Sequence, residues 1–154
     1  DREDRRKHLE FIQAIITRMS SASSNTKAWF LPVATAAFGY AIAQDSPWVA
    51  LLGVGATILA AYIDANYLRQ EKAYRAMYRV VAKDDESFSS FCLQPDELPD
   101  CVPRGERGSW SASTPDWINR LLPGPSVWLS WSILAFYLPI FITGAVVSWL
   151  LFWK

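Results

Sequence analysis

The sequence has few of the residues on which enzymes and metal sites most often depend. It contains one histidine, His8, and two cysteines, Cys92 and Cys101, in 154 residues. The cysteines have no neighbouring histidine and are not spaced as a zinc-binding pair, so we interpret them as ordinary thiols. No glycine-rich phosphate loop is present, and no serine or cysteine has a plausible base nearby. We therefore expect no catalytic residue, no metal and no cofactor, and we interpret His8 as a solvated side chain in a charged tail.

Positive charge is missing from two long stretches of the chain. None of the fifteen Lys and Arg residues lies between Trp29 and Leu68, or between Leu121 and Trp153. Apolar residues are concentrated in the same two stretches, and both are long enough to cross a hydrocarbon core, which needs roughly 20 apolar residues as helix. A soluble domain of this length would scatter its charges. The sequence therefore predicts an integral membrane protein, with a lipid bilayer as its first partner.

We predict an all-α fold with three transmembrane helices and amphipathic cytoplasmic helices. The expected segments are a cytoplasmic amphipathic helix (1–24), a transmembrane hairpin with a basic cytoplasmic extension (27–83), a Pro-rich cytoplasmic connector with a short interfacial helix (84–125) and a third transmembrane helix (126–154). The polar run from Ser20 to Thr26 is expected to break the first helix and cap the next, because Ser and Asn oxygens accept hydrogen bonds from free helical N–H groups. Pro47 is expected to open the second span, where its missing N–H costs nothing.

The positions of the basic residues predict the topology. Six Lys or Arg precede the first span, none lies in the turn at Asp45, eight lie between the second and third spans, and Lys154 ends the chain. Because basic residues are enriched on the cytoplasmic side, we expect the N-terminus and the connector in the cytoplasm and the C-terminus outside. Tryptophans are expected at the two interfaces: Trp29, Trp128 and Trp131 at the inner one, and Trp48, Trp149 and Trp153 at the outer one.

Five basic residues after the second span fall near one helical face. We call them the basic stripe: Arg69, Lys72, Arg75, Arg79 and Lys83. The i,i+4 spacing of Glu71 and Arg75 predicts a favourable ion pair within this helix. One interpretation is a juxtamembrane helix that attracts anionic lipid. The other is a receptor for a phosphorylated ligand, because guanidinium groups hold phosphate through paired hydrogen bonds and tyrosines stack on bases. The candidate ligand-binding residues are the basic stripe with Tyr78, Arg18 and Lys27.

Asp64 is the only formal charge inside a predicted span, and such residues are commonly functional. Its position near the inner boundary leaves two interpretations, which are an ion pair with Lys27 or a basic neighbour, or a place in the vestibule of a pore. The candidate pore-lining residues are Thr35, Tyr40, Thr57, Tyr62, Asp64 and Asn66, with Thr143 on the third span. Small residues at four-residue spacing, such as Gly39 and Ala43, permit close helix approach and favour a homo-oligomer.

Residues on both sides of the hairpin carry a resemblance to known proteins. They are Phe11-Ile12-Gln13, Ile16, Arg18-Met19, Lys27 and Trp29, followed by Asp64-Ala65-Asn66-Tyr67-Leu68-Arg69-Gln70-Glu71-Lys72, Arg75 and Tyr78. Over residues 8 to 80 the chain resembles a family of small bacterial membrane proteins. More loosely, it resembles the two-span membrane effectors that accompany nucleotide-messenger synthases in antiphage defence, including the Hailong-type oligodeoxyadenylate-gated channels. The resemblance implies a signal-gated pore in the bacterial inner membrane that depolarises an infected cell.

Two functional hypotheses follow. The first is an oligomeric channel gated by a nucleotide or short oligonucleotide messenger, with the hairpin as the path and the basic stripe as the sensor. The second is a non-conducting membrane adaptor whose cytoplasmic helices recruit a soluble partner. A membrane enzyme is the third class and has the least support, and long nucleic acid is not an expected ligand.

Overall fold

A computed structural model describes residues 2–82, 106, 108–110 and 114–154. Its elements are α1 (Arg2–Ala43), α2 (Pro47–Ala82), α3 (Asp116–Leu121), α4 (Pro125–Trp128) and α5 (Trp131–Phe152). These described ranges contain helices and no strand, which confirms the predicted all-helical class. Lys83, both cysteines and most of the predicted connector lie outside the described residues.

Two of the described helices, α2 and α5, are long and apolar enough to cross a membrane. Less than half of the apolar segment of either helix is buried within the chain. Large apolar side chains such as Leu52 and Leu59 on α2 and Trp149 on α5 are exposed, which suits a surface that faces lipid. The α1 helix, which contains the predicted first span, does not meet the same criterion.

The first helix is continuous where a break was predicted. α1 runs from Arg2 to Ala43 without interruption, so the expected cap within 20–26 does not form. Residues 20–26 contain no Gly or Pro that would end a helix. The hydroxyl of Ser23, in its middle, donates a hydrogen bond to Asp64 on α2 instead of capping a helix start. The prediction was wrong because a tertiary contact uses the side chain that would have made the local cap.

The turn between α1 and α2 forms as predicted. Asp45 adopts a left-handed backbone conformation with φ of 48°, and the Ser46 amide donates to the Ala41 carbonyl at 3.0 Å. Pro47 then begins α2. Because the turn is this short, α1 and α2 run antiparallel. The α2 helix continues past its apolar part to Ala82, because its basic part contains no Gly or Pro that would end it.

The last long helix begins at Trp131 and not at Ser126. Ser126 lies in the single turn α4, and Ser130 has an extended backbone with ψ of 134° that separates α4 from α5. The Ser130 carbonyl then accepts the first two hydrogen bonds of α5, from Ile133 and Leu134, each at 3.0 Å.

The chain divides into two compact units. We call Asp1–Ala22 with Asn66–Trp128 the polar unit, and Ser23–Ala65 with Leu129–Lys154 the apolar unit. Each long helix of the hairpin contributes to both units, and each unit is described separately below.

The core of the polar unit is formed by the two far ends of the hairpin. Ile12 from α1 and Met77 from α2 are fully buried at its centre, and the other members of the cluster are Ala76, Val80 and Val81. His8 is also buried, so its expected solvated position was wrong. It lies one helical turn before Ile12 and shares the inward face of α1.

The apolar unit is built around Phe38. The ring of this α1 residue lies between two glycines, Gly53 on α2 and Gly144 on α5. A Cβ atom at Gly53 would lie 2.7 Å from the ring and one at Gly144 would lie 2.5 Å from it. These two glycines therefore allow three helices to approach one aromatic side chain.

Candidate functional site

The apolar unit contains a buried ion pair. Asp64 is 0% exposed, and Lys27 Nζ lies 2.7 Å from its Oδ2 atom. The Lys27 side chain is 17% exposed, so the ammonium group is largely withdrawn from the surface. Of the two interpretations of Asp64 left open by the sequence, the ion pair with Lys27 is the one that forms.

Hydroxyl groups complete the surroundings of the ion pair. Lys27 Nζ donates to Ser23 Oγ at 3.1 Å and to Ser132 Oγ at 3.0 Å. Together with Asp64, these give the ammonium one oxygen partner for each of its three N–H groups. Ser23 in turn donates to Asp64 Oδ1. We call these four residues the ion-pair cluster, and they join α1, α2 and α5 within the apolar unit.

Tyr137 on α5 borders the ion-pair cluster. Its hydroxyl is buried and lies close to the Asp64 carboxylate. Neither this hydroxyl nor Asp64 Oδ2 makes a well-aligned hydrogen bond within the described residues, so Oδ2 is held by its ionic contact with Lys27. The ring packs against Phe30, with 6.0 Å between the ring centres.

The candidate pore-lining residues do not share one surface of the chain. Thr57 and Asp64 are buried, Tyr62 and Asn66 are half-buried, and Thr35, Tyr40 and Thr143 are exposed. Three of the hydroxyls bond within their own helices, from Thr35 to the Leu31 carbonyl, from Thr57 to the Gly53 carbonyl and from Thr143 to the Pro139 carbonyl. Thr57 and Asp64 therefore face the interior of the chain and not a surface that a path could follow.

The polar unit carries the basic stripe, and two of its arginines face outward. Arg75 is paired with Glu71 at 2.6 Å, which confirms the predicted i,i+4 pair. Arg79 is paired with Glu106 at 3.0 Å. Both guanidinium groups remain accessible, because the Arg75 side chain is 60% exposed and that of Arg79 is 56% exposed.

The part of the basic stripe nearer to the apolar segment of α2 binds the chain itself. Lys72 Nζ donates to the Ser126 carbonyl at 2.5 Å. Burial lowers the pKa of Lys72, and the neighbouring Glu71 carboxylate opposes that shift. Arg69 is half-buried and makes an interaction of its own. The stripe is therefore divided into an inner part used for packing and an outer part that remains accessible.

The other candidate ligand-binding residues are dispersed. Tyr78 accepts a hydrogen bond from Gln13 Nε2 at 3.1 Å, next to the outward-facing arginines on α2. Arg18 is exposed on α1. Lys27 belongs to the ion-pair cluster of the apolar unit, and Lys83 lies outside the described residues.

Sequence reasoning missed Ser23, Ser132, Tyr137 and Glu106. The four-residue spacing of Ser23 and Lys27 was a usable signal, because residues at this spacing share one helical face. The other three contacts join residues far apart in the chain, and 105 positions separate Lys27 from Ser132.

Comparisons with family models, with curated proteins and with solved structures gave no match to this chain. The resemblance to messenger-gated effectors stays a prediction, and the functional argument rests on geometry.

Proposed function

We propose that this chain is a three-span protein of the bacterial inner membrane that forms a homo-oligomeric channel gated by a nucleotide or short oligonucleotide messenger in antiphage defence. The observation that carries the proposal is the outward-facing pair Arg75 and Arg79 on α2. The same uninterrupted helix contains the apolar segment and Asp64. A continuous helix that binds a ligand near one end and crosses the membrane near the other would connect the two events.

The second half of α1 serves as the first of the three spans in this proposal, and α2 and α5 are the other two. After Lys27 it carries no charge up to Ala43, and it exposes the large apolar side chains of Trp29, Val33 and Ile42. With the N-terminus in the cytoplasm, α1, α2 and α5 cross in turn and leave the C-terminus outside, in agreement with the distribution of basic residues.

The chemistry of the outward-facing arginines supports an anionic ligand. Arg79 and Glu106 are both about half exposed, and such a pair contributes only ~0–1 kcal/mol, so a phosphate group would displace Glu106 at low cost. Glu71 is buried and would stay beside Arg75, whose remaining N–H groups would donate to the phosphate. Tyr78 lies between the two arginines in sequence and is half-buried against the Ile12 and Met77 cluster, so only the accessible part of its ring would contact a base.

Reversing both charges, in Arg75→Glu with Arg79→Glu, is expected to abolish the ligand response. Each lost charged hydrogen bond removes ~1.5–3 kcal/mol, about ten- to a hundredfold in affinity per arginine. The measurement is ion flux from liposomes that hold the purified chain, with and without short oligonucleotides. The matched control is Arg6→Glu with Lys7→Glu, which makes the same change in charge on exposed α1 residues. Absence of flux under every condition rejects the channel, and a normal response in the double variant rejects the sensor.

A non-conducting adaptor is the second candidate. It is favoured by the burial of Thr57 and Asp64, which bond within the chain and do not face a path. The two functions differ in the liposome assay. An adaptor would produce no flux with or without oligonucleotide, and its cytoplasmic helices would instead bind a soluble partner.

Replacing Gly39 with leucine is expected to disrupt the homo-oligomer. Within the part of the chain that the structure describes, a Cβ atom at Gly39 meets no other atom within 4 Å. The larger side chain therefore has room in the single chain and removes the ~1 kcal/mol helix cost of glycine. It would, however, block the close approach of a second copy at this face. Native mass spectrometry from detergent should give smaller assemblies than for the control Ile58→Leu, whose side chain is also exposed. An unchanged assembly would exclude this face as the interface.

A further inference from the structure

The short helix α3 presents apolar side chains on the surface of the polar unit. Trp117 is 64% exposed and Leu121 is 59% exposed, and Leu122 directly after the helix is exposed as well. A helix of six residues has little stability of its own in water. An exposed tryptophan and two leucines on such an element require an explanation.

Hydrogen bonds hold α3 in one orientation. The Trp110 amide donates to Asn119 Oδ1 at 3.0 Å, and the Trp110 indole donates to the Leu122 carbonyl at 3.2 Å. Asn119 also donates to the Thr114 carbonyl at 3.4 Å. These bonds fix the polar side of α3 against the chain, and the apolar side chains are left outward. We call residues 108–110 with 114–128 the α3 platform.

The α3 platform contacts α2 at a defined position along the helix. The Gly124 amide donates to the Gly108 carbonyl at 2.9 Å. Gly108 has a φ of 75° and passes so close to α2 that a Cβ atom would lie 3.1 Å from Arg69 Cα. Lys72 reaches the Ser126 carbonyl at 2.5 Å. Arg69 and Lys72 are therefore the points of α2 on which the platform rests.

Those two points lie at the expected depth of the lipid headgroups. From Pro47 to Asp64 α2 rises ~26 Å, close to the ~30 Å thickness of a hydrocarbon core. Arg69 lies ~8 Å beyond Asp64 and Lys72 lies ~12 Å beyond it. The headgroup layer on each side of the core is ~5–8 Å thick.

We propose that the α3 platform docks on the inner leaflet of the membrane that α2 crosses, with Trp117, Leu121 and Leu122 inserted at the boundary between headgroups and acyl chains. Tryptophan is the side chain most typical of this layer, and short amphipathic helices bury apolar faces in it. The inference depends on the membrane-spanning part of the proposed function and not on conduction or ligand binding.

Site-directed spin labelling of the full chain in nanodiscs tests this docking. Cys92 and Cys101 are replaced by serine, and a nitroxide is attached at Trp117→Cys or Leu121→Cys. Both positions are exposed, so neither change removes core packing. The aqueous control is Glu10→Cys on α1, and the hydrocarbon control is Ile142→Cys on α5. Collisions of the label with oxygen and with a water-soluble nickel chelate are measured at each position.

We expect the ratio of oxygen to nickel collisions at Trp117 and Leu121 to be severalfold higher than at Glu10 and nearer to that at Ile142. A ratio equal to that at Glu10 would place α3 in water and overturn the proposal. Low collision rates with both reagents would also overturn it, because they would mean that protein, such as a second copy, covers α3. Flux and ligand binding are not measured here, so failure of the docking and failure of the channel are distinguishable.

Discussion

Replacing Asp64 with alanine is expected to destabilise the apolar unit by ~3–5 kcal/mol, because it leaves a largely buried ammonium without its counter-charge. Lys27 would keep only the hydroxyls of Ser23 and Ser132. Hydroxyl groups stabilise an ammonium far less than a carboxylate does when water is excluded. The Ser23 hydroxyl would also lose the carboxylate to which it donates.

The measurement for Asp64→Ala is unfolding by denaturant in detergent micelles, followed by circular dichroism. The matched control is Asp45→Asn, which breaks the exposed Asp45–Lys154 pair and should cost less than ~1 kcal/mol. A second variant, Lys27→Met with Asp64→Leu, removes both charges and should recover most of the lost stability, since apolar residues can replace a buried pair. If Asp64→Ala costs no more than Asp45→Asn, the ion-pair cluster does not hold the apolar unit together.

The elements that sequence reasoning placed correctly have local signals. Pro47 marks the start of α2, and the lack of Gly and Pro in the basic part of α2 indicates a helix that continues to Ala82. The i,i+4 spacing of Glu71 and Arg75 also sufficed to predict their pair. In each case the decisive groups lie within one or two helical turns of one another, and the sequence displays them directly.

The features that sequence reasoning missed depend on residues brought together by the fold. Serine is a residue type that often caps helices, but the Ser23 hydroxyl donates a hydrogen bond to Asp64, 41 positions away. His8 lies in a charged segment, yet it shares the buried face of α1 with Ile12. The spacing of the basic stripe predicted a common face. It could not indicate that the Ser126 carbonyl would bind Lys72 while Arg75 and Arg79 stayed accessible.

The glycines of the apolar unit fall into two groups. Packing within the chain explains the first group and does not explain the second. Gly53 and Gly144 face the Phe38 ring, whereas Cβ atoms at Gly39 and Gly55 would meet nothing within 4 Å among the described residues. From sequence alone, all four are small residues that permit close helix approach. Only the packing around Phe38 indicates which of them the packing of one chain needs.

Replacing Gly144 with alanine is accordingly expected to destabilise the apolar unit by ~1–3 kcal/mol through overpacking. The new methyl group would lie 2.5 Å from the buried Phe38 ring and 2.9 Å from the Val54 side chain on α2, so both neighbours would have to move. Gly55→Ala is the matched control. It adds the same methyl group in open space and should stabilise by up to ~1 kcal/mol, because alanine favours helix over glycine.

A second change separates overpacking from a general loss of helix stability. Phe38→Leu shortens the side chain that the Gly144 methyl group would meet. It is expected to cost stability in the native background and to cost less, or nothing, when Gly144 is alanine. Unfolding free energies of the two single variants and the double variant in micelles give this coupling directly. Strict additivity of the two changes would mean that Gly144 does not accommodate the Phe38 ring, and that the three helices of the apolar unit are held by the ion-pair cluster alone.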